Sequence, residues 1–292
     1  MNRNWAEKEF GNIDLGNQRL SQRLIRLASN LSQSPEAPIN QACGNWAETK
    51  AAYRFFKNET VNYRNISKSH IDATKDRCIE ESTILAIQDT TFLTYSHHPK
   101  TKDLCALSKH KGKYKEIIPM GLVMHSTLAV SVDGLPLGLL DQKIYARNTL
   151  TDEKKKIKQR SHNAALPIEE KDSIRWLESL QKSHNLFGRH STGIVTIGDR
   201  ESDIYDLFRL GGQLESSILV RAKHNRTVNK KSRYSGSSGE TLWGLMKTKK
   251  VQGLIKIKVS EKENQPARLA TCEIKTSKFE YNPPRNHIGH KK

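Results

Sequence analysis

The chain has 292 residues, of which 35% are hydrophobic, and its 49 Lys and Arg residues against 31 Asp and Glu residues give a formal net charge of +18. This length corresponds to about two domains, the apolar runs are far shorter than the roughly 20 residues of a membrane-spanning helix, and the start MNRNWAEKEFGNID does not resemble a signal peptide. We therefore expect a cytoplasmic protein without a membrane partner, whose charge attracts polyanions such as nucleic acid.

The first 75 residues predict a small, basic helical module. Leucines at helical spacing predict a helix over residues 17–33, and the prolines of SPEAP end it. A second helix is predicted over residues 41–58. The first helix carries its apolar stripe on Leu20, Leu24, Leu27 and Leu31, and a second stripe, free for phosphates or solvent, on Arg19, Arg23 and Arg26. The charge and size of this module fit DNA binding and plain helical packing equally well.

From residue 83 the pattern changes to strands. Predicted strands cover residues 83–88, 118–132, 135–147, 193–198 and 216–224. The second and third of them are joined by a tight turn at Asp133-Gly134. Helices are predicted over residues 169–187 and from Glu201 onwards. A strand, a hairpin and two helical crossovers indicate an α/β fold, a mixed sheet with helices packed on it, over residues 80–225.

Beyond Asn225 the pattern is that of a small β-rich insertion, residues 226–281. Two stretches, 251–261 and 267–276, alternate apolar and polar residues as antiparallel strands do. Residues 232–240 predict a flexible loop, and residues 282–292 predict no element and form an aberrant tail. Eleven basic residues and one acid lie between Arg221 and Lys258, which favours a phosphate-binding surface over a solvated basic face.

The four cysteines, at positions 43, 78, 105 and 272, are widely separated. They form no CxxC pair, and no histidine lies at zinc-finger spacing from them. This spacing argues against a zinc site or a disulfide framework and favours reduced thiols in a cytosolic protein.

Two aspartates follow strand-forming runs. Asp89 comes after TILAIQ and Asp199 after GIVTIG, and residues at the carboxyl ends of strands face the ligand crevice of an α/β sheet. Two neighbouring carboxylates repel each other without a cation, so the pair predicts a Mg²⁺ or Mn²⁺ site. Such ions activate an attacking water or hydroxyl for displacement at phosphorus. Either aspartate alone is equally typical of a turn or cap.

Six blocks in collinear order carry a resemblance to a known family. They are LGNQRLSQRL, AAYRFFKN, AIQDTTFLTYSH, MHSTLAV, GDRESDIYD and LVRAKHNR, and the similarity extends over residues 5 to about 281. The chain resembles the DDE transposases of bacterial insertion sequences, in the branch that contains the transposase of the kanamycin-resistance transposon. The resemblance implies a ribonuclease-H-like fold behind an N-terminal helical module, residues 1–75, that binds transposon-end DNA.

The resemblance also implies roles for individual residues. Asp89 and Asp199 would be the first two metal-binding catalytic acids, with two Mg²⁺ ions in an intact family member. Arg221 and Lys223 would approach the phosphates of the transposon end. The end-recognition module would include Arg23 and Arg54. His125 matches a family position to which the resemblance gives no role.

The sequence departs from the family at its third acid. In the family, a glutamate follows the β-insertion on a helix with the pattern Tyr-x-x-Arg-x-x-x-Glu, and dimerisation helices come after it. The later glutamates of this chain, at 240, 261, 263, 273 and 280, lie in loop or strand-like stretches. We therefore expect a C-terminally truncated transposase that is inactive alone. Its implied partners are double-stranded DNA, at transposon ends and target, and a second copy or a full-length transposase.

Three functions stay open at this point. The first is a transposase that cuts transposon ends and joins the freed 3′ hydroxyl to target DNA. The second is a non-catalytic end-binding protein that inhibits full-length transposase. The third, a non-specific nuclease with a substitute glutamate, requires an acid that the sequence does not place.

Overall fold

The structure, a computed structural model, describes residues 4–97, 100–107, 118–147, 166–188, 192–228, 240–262 and 265–283. The chain divides into two compact units, residues 1–221 and 222–292. The N-terminal helices and the sheet fall in the first unit, and the division lies close to the predicted start of the insertion at residue 226. Most of the predicted flexible loop, residues 232–239, and most of the predicted tail, residues 284–292, lie outside the described residues.

Five helices precede the sheet: α1 Asn4–Phe10, α2 Gln18–Gln33, α3 Ile39–Ala42, α4 Trp46–Lys57 and α5 Tyr63–Ile79. Helix α2 matches its prediction and begins where the Asn17 side chain accepts a hydrogen bond from the Arg19 amide. The predicted helix over 41–58 is wrong in its first turn. Gly44, with φ of 74°, separates α3 from α4, and Asn45 then caps α4.

The predicted leucine stripe of α2 is confirmed as the core of these helices. Leu24 and Leu27 are buried together with Ala52 and Phe55 of α4, and Leu20 and Leu31 pack against this cluster. Helix α5 was not predicted, because its apolar residues do not repeat at a clear helical period. Its buried Cys78 packs instead on the sheet that follows.

Six strands form the sheet: β1 Thr83–Thr94, β2 Cys105–Ala106, β3 Met120–Ser131, β4 Pro136–Tyr145, β5 Gly193–Gly198 and β6 Ser217–Val220. Their order is β4-β3-β1-β5-β6, with β2 on the start of β3. Strands β1, β3 and β4 are antiparallel, whereas β5 runs parallel to β1 and to β6. Two further helices belong to this part of the fold, α6 Ile174–Phe187 and α7 Tyr205–Gln213. The mixed α/β fold with an N-terminal helical module is confirmed.

The strand predicted over 83–88 begins as predicted at Thr83, but its predicted end before Asp89 is wrong. The strand continues to Thr94 because β3 pairs with it along its whole length, from Ile84 opposite Ser131 to Thr94 opposite Gly121. Asp89 therefore lies in mid-strand. What ends near it is the parallel pairing with β5, whose last pair is Ile87 with Ile197.

The two faces of the sheet differ in their cover. Ile84, Ala86 and Gln88 of β1 are buried, and Cys78 of α5 and Phe187 of α6 pack on this side. We call it the helix-covered face; α7 joins it through Ile218 of β6. The opposite side, the open face, holds the alternate residues of each strand. Its half-exposed apolar residues are Leu85, Ile87, Met124, Leu128, Val195 and Ile197.

The second unit contains β7 Thr227–Val228, β8 Glu240–Thr241, α8 Leu242–Thr248, β9 Gly253–Val259 and β10 Arg268–Ile274. Strands β9 and β10 pair antiparallel, as predicted. Helix α8 was not predicted. It forms because the Thr241 hydroxyl caps its first turn by accepting from the Gly244 amide, and Leu245 is buried beneath it.

None of the helices in the described stretches is long and apolar enough to cross a membrane. The four cysteines are unpaired, and three of them, Cys43, Cys78 and Cys105, are buried.

A charged cluster around Glu9 joins the N-terminal helices to the sheet. The Glu9 carboxylate accepts two hydrogen bonds from Arg77 of α5, at 2.8 and 3.0 Å, and contacts His70 Nδ1. Arg77 Nε also donates to the Leu137 carbonyl of β4 at 2.6 Å, and the Leu139 amide donates to His70 Nε2 at 2.9 Å. One carboxylate thus helps to hold α1, α5 and β4 together.

The Glu9 cluster predicts a pH-dependent contribution to stability. Burial acts to raise the pKa of Glu9, but Arg77 and His70 outweigh it, so the pKa is lowered from its ordinary value of 4.5. The stabilisation is complete above pH 4.5 and is lost as the pH falls through the folded-state pKa.

We expect Glu9→Gln to lower the free energy of unfolding by about 1.5–3 kcal/mol at pH 7 and by progressively less below pH 4.5. Urea denaturation from pH 7 to 3 measures this. The control is Glu7→Gln, exposed on the same helix; an equal loss there would contradict the prediction.

Candidate functional site

The exposed side of α4 combines aromatic and basic side chains. Thr49, Ala52 and Phe55 turn inward, and the outward residues follow helical spacing. They form what we call the α4 surface, consisting of Trp46, Lys50, Tyr53, Arg54, Phe56 and Lys57. Trp46 is 77% exposed and Tyr53 56%, values at which large aromatic rings remain available to a partner.

The two arginines predicted in the N-terminal module differ in their surroundings. Arg54 belongs to the α4 surface and is exposed. Arg23 of α2 does not lie free, because its guanidinium bonds to Glu48 of α4 at 2.5 Å and its side chain is 27% exposed. The predicted free arginine stripe is therefore wrong at Arg23, whereas Arg26 on the next turn remains 63% exposed.

Asp89, in β1, and Asp199, directly after β5, lie at the same level of the sheet. Each follows the last parallel pair, Ile87 with Ile197, by two residues. Because side chains alternate along an extended chain and neighbouring strands lie about 5 Å apart, both carboxylates project from the open face at the carboxyl end of β5. Both residues are exposed, and no described residue makes an ion pair with either of them.

Asp199 begins a tight turn that glycine makes possible. Asp199 Oδ1 accepts from the Glu201 amide at 2.8 Å and its carbonyl accepts from the Ser202 hydroxyl at 2.7 Å, which forms a 3₁₀ turn over Arg200–Ser202. A Cβ on Gly198 would lie 2.3 Å from Ser202 Oγ and 3.2 Å from the Trp176 ring. Only glycine at position 198 lets the turn fold back on β5.

A buried arginine lies behind the two acids, on the helix-covered face. The side chain of Arg175, on α6, is 7% exposed. Its Nε donates to the Thr90 hydroxyl at 3.0 Å, one nitrogen donates to the Asp172 carbonyl at 2.8 Å, and the other bonds to Glu201 at 2.9 Å. Thr90 follows Asp89, and Glu201 lies in the turn that Asp199 begins. No pattern in the sequence identifies Arg175, since an arginine in an amphipathic helix is ordinarily exposed.

His125, which the family resemblance singled out without a role, continues this chain of hydrogen bonds. Its Nδ1 lies 2.9 Å from the Thr90 hydroxyl, its Nε2 lies 3.4 Å from Gln88 Oε1, and its ring stacks edge-on against Trp176 at 4.7 Å. Burial, followed by the nearby Arg175 charge, lowers the pKa of His125 to about 4. The ring is therefore neutral at pH 7 and carries one proton, so one ring nitrogen donates and the other accepts.

The two carboxylates could supply part of the ligand shell of a hard divalent cation. Mg²⁺ commonly binds to proteins through one or two carboxylates and completes its shell with water and substrate phosphate, and two exposed carboxylates on adjacent strands fit that pattern. Within the described stretches, no group of three or more His, Cys, Asp or Glu residues is placed to hold a metal ion.

The two basic residues predicted to meet phosphates come just after the last strand of the sheet. Arg221 follows β6, is exposed, and its amide donates to the Gly198 carbonyl at 3.2 Å, which places its backbone beside the residue preceding Asp199. Lys223 belongs to the second unit. Of the basic segment between 221 and 258, residues 230, 231 and 233 lie outside the described residues.

Comparisons with known proteins agree with the N-terminal observations. Residues 2–61 match the family model described as transposase DNA-binding. Among solved structures, the chain is similar to a chain of a pre-cleavage Mos1 transpososome at 10% identity and a TM-score of 0.19, over 67% of this chain and 58% of that one. That structural similarity is too low to carry an argument. The family match supports a transposase or DNA-binding role.

Proposed function

We propose that this protein binds double-stranded DNA at transposon ends through its N-terminal helices, as part of a transposase. The match of residues 2–61 to a transposase DNA-binding family carries this proposal. The α4 surface lies inside the matched range and supplies the contacts: Lys50, Arg54 and Lys57 for phosphates, and Trp46 and Tyr53 for contact beyond the phosphates.

The charge of the chain supports DNA as the partner. A net charge of +18 raises the local concentration of a polyanion and makes its binding strongly salt-dependent. The rigidity of the α4 surface supports specific recognition, because the Phe55 side chain anchors α4 in the buried cluster. Arg23 is held by Glu48, so it contributes to this surface by orienting α2 against α4.

DNA binding through the α4 surface is tested with Lys50→Ala/Lys57→Ala. Duplexes selected from a random 40-base-pair library by the wild-type chain provide the ligand. We expect the double variant to bind at least about 10-fold more weakly and to reduce the slope of log K against log salt by about 2, since two phosphate contacts are lost. Fluorescence anisotropy at several salt concentrations measures both quantities. The control is Lys68→Ala, exposed on α5 and outside the matched range; an equal loss there would reject a specific role for α4.

We propose further that Asp89 and Asp199 form the metal-binding pair of a ribonuclease-H-like core. The strand order, an antiparallel meander followed by two parallel strands, supports that fold. Bound Mg²⁺ or Mn²⁺ would activate an attacking oxygen and stabilise the leaving oxygen at phosphorus. The chain itself would supply the two carboxylates, and Arg221 would meet a DNA phosphate beside them.

A third acid would complete the proposed site, and the described residues place none beside the two aspartates. The half-exposed Leu85, Ile87 and Ile197 of the open face form an apolar side that a helix bearing such an acid would cover. Within this proposal the chain is a member of the branch that contains the kanamycin-resistance transposon transposase. Translating the DNA beyond codon 284 in all three frames tests the branch: a Tyr-x-x-Arg-x-x-x-Glu helix in one frame supports it, and its absence from all three counts against it.

A non-catalytic end-binding protein is the second candidate function. One observation favours it, since the described residues offer two carboxylates and no group of three metal ligands. In this case the chain would occupy transposon ends and inhibit a full-length transposase or pair with one. Specific end binding without Mn²⁺-dependent cleavage of a selected duplex would support this function, and cleavage that Asp199→Ala abolishes would reject it.

A further inference from the structure

We propose that Arg175 is a positioning residue that sets the relative placement of Asp89 and Asp199. This inference rests on the proposed metal-binding role of the two acids. It depends on one geometric fact: a single buried guanidinium bonds to the residue after one acid, Thr90, and to Glu201 in the turn begun by the other.

The two acids need such a connection because the sheet itself stops short of them. The parallel pairing of β1 with β5 ends at Ile87 and Ile197, so no strand–strand hydrogen bond fixes Asp199 against Asp89. Asp199 instead caps a 3₁₀ turn, whose hydrogen-bond geometry is poorer than that of an α-helix. The bond from Arg175 to Glu201 ties this turn to α6.

On the side of Asp89, the connection acts on both of its neighbours. The Thr90 hydroxyl accepts from Arg175 Nε and lies 2.9 Å from His125 Nδ1, and His125 Nε2 lies 3.4 Å from Gln88 Oε1. Gln88 and Thr90 flank Asp89 and point to the helix-covered face. The backbone at Asp89 is therefore fixed from behind, while its carboxylate remains exposed on the open face.

The chemistry of the contact requires arginine. The guanidinium makes three hydrogen bonds in different directions from one plane, to Thr90, Asp172 and Glu201, whereas a lysine ammonium is a single point that cannot span all three acceptors. A buried charge also costs free energy unless it is paired. Replacing Arg175 therefore removes the hydrogen bonds to Thr90 and Glu201. The two acids are affected through these neighbouring residues.

The test measures Mn²⁺ binding to the full chain. Electron paramagnetic resonance detects the Mn²⁺ that remains free. We expect Arg175→Lys to weaken Mn²⁺ binding about 10-fold, the range found when residues that orient metal ligands are replaced. Thr90→Val should weaken it as well, and Thr90→Ser should restore it because the hydroxyl returns. Binding of Arg175→Lys with wild-type affinity would overturn the inference.

Two matched controls separate positioning from general damage. Lys182→Met removes another ion pair of α6, with Asp141 at 2.9 Å. Thr127→Val removes a buried hydroxyl on the helix-covered face that has no hydrogen-bond partner among the described residues. We expect both controls to bind Mn²⁺ like the wild type. Weakening by either control equal to that of Arg175→Lys would show a general loss of packing and reject the positioning role.

A metal-free measurement keeps the two proposals distinguishable. If the wild-type chain binds no Mn²⁺, the proposed metal site fails, and hydrogen exchange decides the inference alone. We expect Arg175→Lys to increase exchange about 10-fold in peptides covering residues 199–204 and to leave α6 protected, with Lys182→Met unchanged in residues 199–204. Unchanged exchange there in Arg175→Lys would overturn the inference.

Discussion

Replacing Trp176 with alanine should destabilise the first unit by about 3–5 kcal/mol, the cost of removing a large side chain from a packed core. Trp176 is 1% exposed and packs edge-on against His125 at 4.7 Å. Its ring would lie 3.2 Å from a Cβ at position 198. At about 2–4 °C per kcal/mol for a unit of this size, the melting temperature should fall by roughly 10 °C.

Trp46 provides the control for Trp176. It is 77% exposed, so Trp46→Ala should change stability by no more than about 0.5 kcal/mol and should instead weaken DNA binding. Trp176→Phe should cost less than Trp176→Ala, because Trp176 Nε1 has no hydrogen-bond partner to lose. Chemical denaturation of the three variants measures these differences. Equal stability of Trp176→Ala and Trp46→Ala would show that α6 does not hold the sheet as described.

Replacing either acid with its amide should abolish stabilisation of the protein by Mn²⁺. A ligand that binds only the folded state at 100 times its Kd stabilises by about 2.7 kcal/mol, and the wild type should gain that amount. Asp89→Asn and Asp199→Asn each leave one carboxylate, so both should lose most of this gain. Without metal, neither variant should be less stable than the wild type by more than about 0.5 kcal/mol, because both residues are exposed.

The matched control for this experiment is Asp133→Asn, in the exposed turn between β3 and β4. It should keep the full stabilisation by Mn²⁺. Thermal denaturation with and without Mn²⁺ measures the effect for all three variants. A wild-type chain that Mn²⁺ does not stabilise, or an Asp89→Asn variant that gains as much as the wild type, would reject the proposed site.

Much of the fold could be predicted because local patterns agree with the final packing. The leucine stripe of α2 predicted its buried side, and the turn at Asp133-Gly134 predicted the β3–β4 hairpin, in which Gly134 has φ of 90°. Strand β5 was predicted at its observed bounds, residues 193–198. In each case short-range periodicity or turn chemistry determines the element before any partner is present.

Three failures of the sequence predictions depended on partners distant in sequence. Strand β1 extends past Asp89 because β3 pairs with it to Thr94. Helix α5 forms although its own pattern is weak, because Cys78 packs on the sheet and Arg77 binds Glu9. Arg23 is held by Glu48 of another helix. Tertiary contacts override local propensity at these positions.

For the candidate site, local sequence was enough to identify the carboxylates, because the runs that precede Asp89 and Asp199 mark two strands and the acids that follow their buried residues. The tertiary structure sets the register between β1 and β5, which brings these acids to one level and one face. It also decided the role of Arg175, whose partners, Thr90 and Glu201, lie 85 and 26 residues away in the chain. Hydrogen bonds of such long range leave no periodic signal in the sequence, since they depend on the packing of α6 against the sheet.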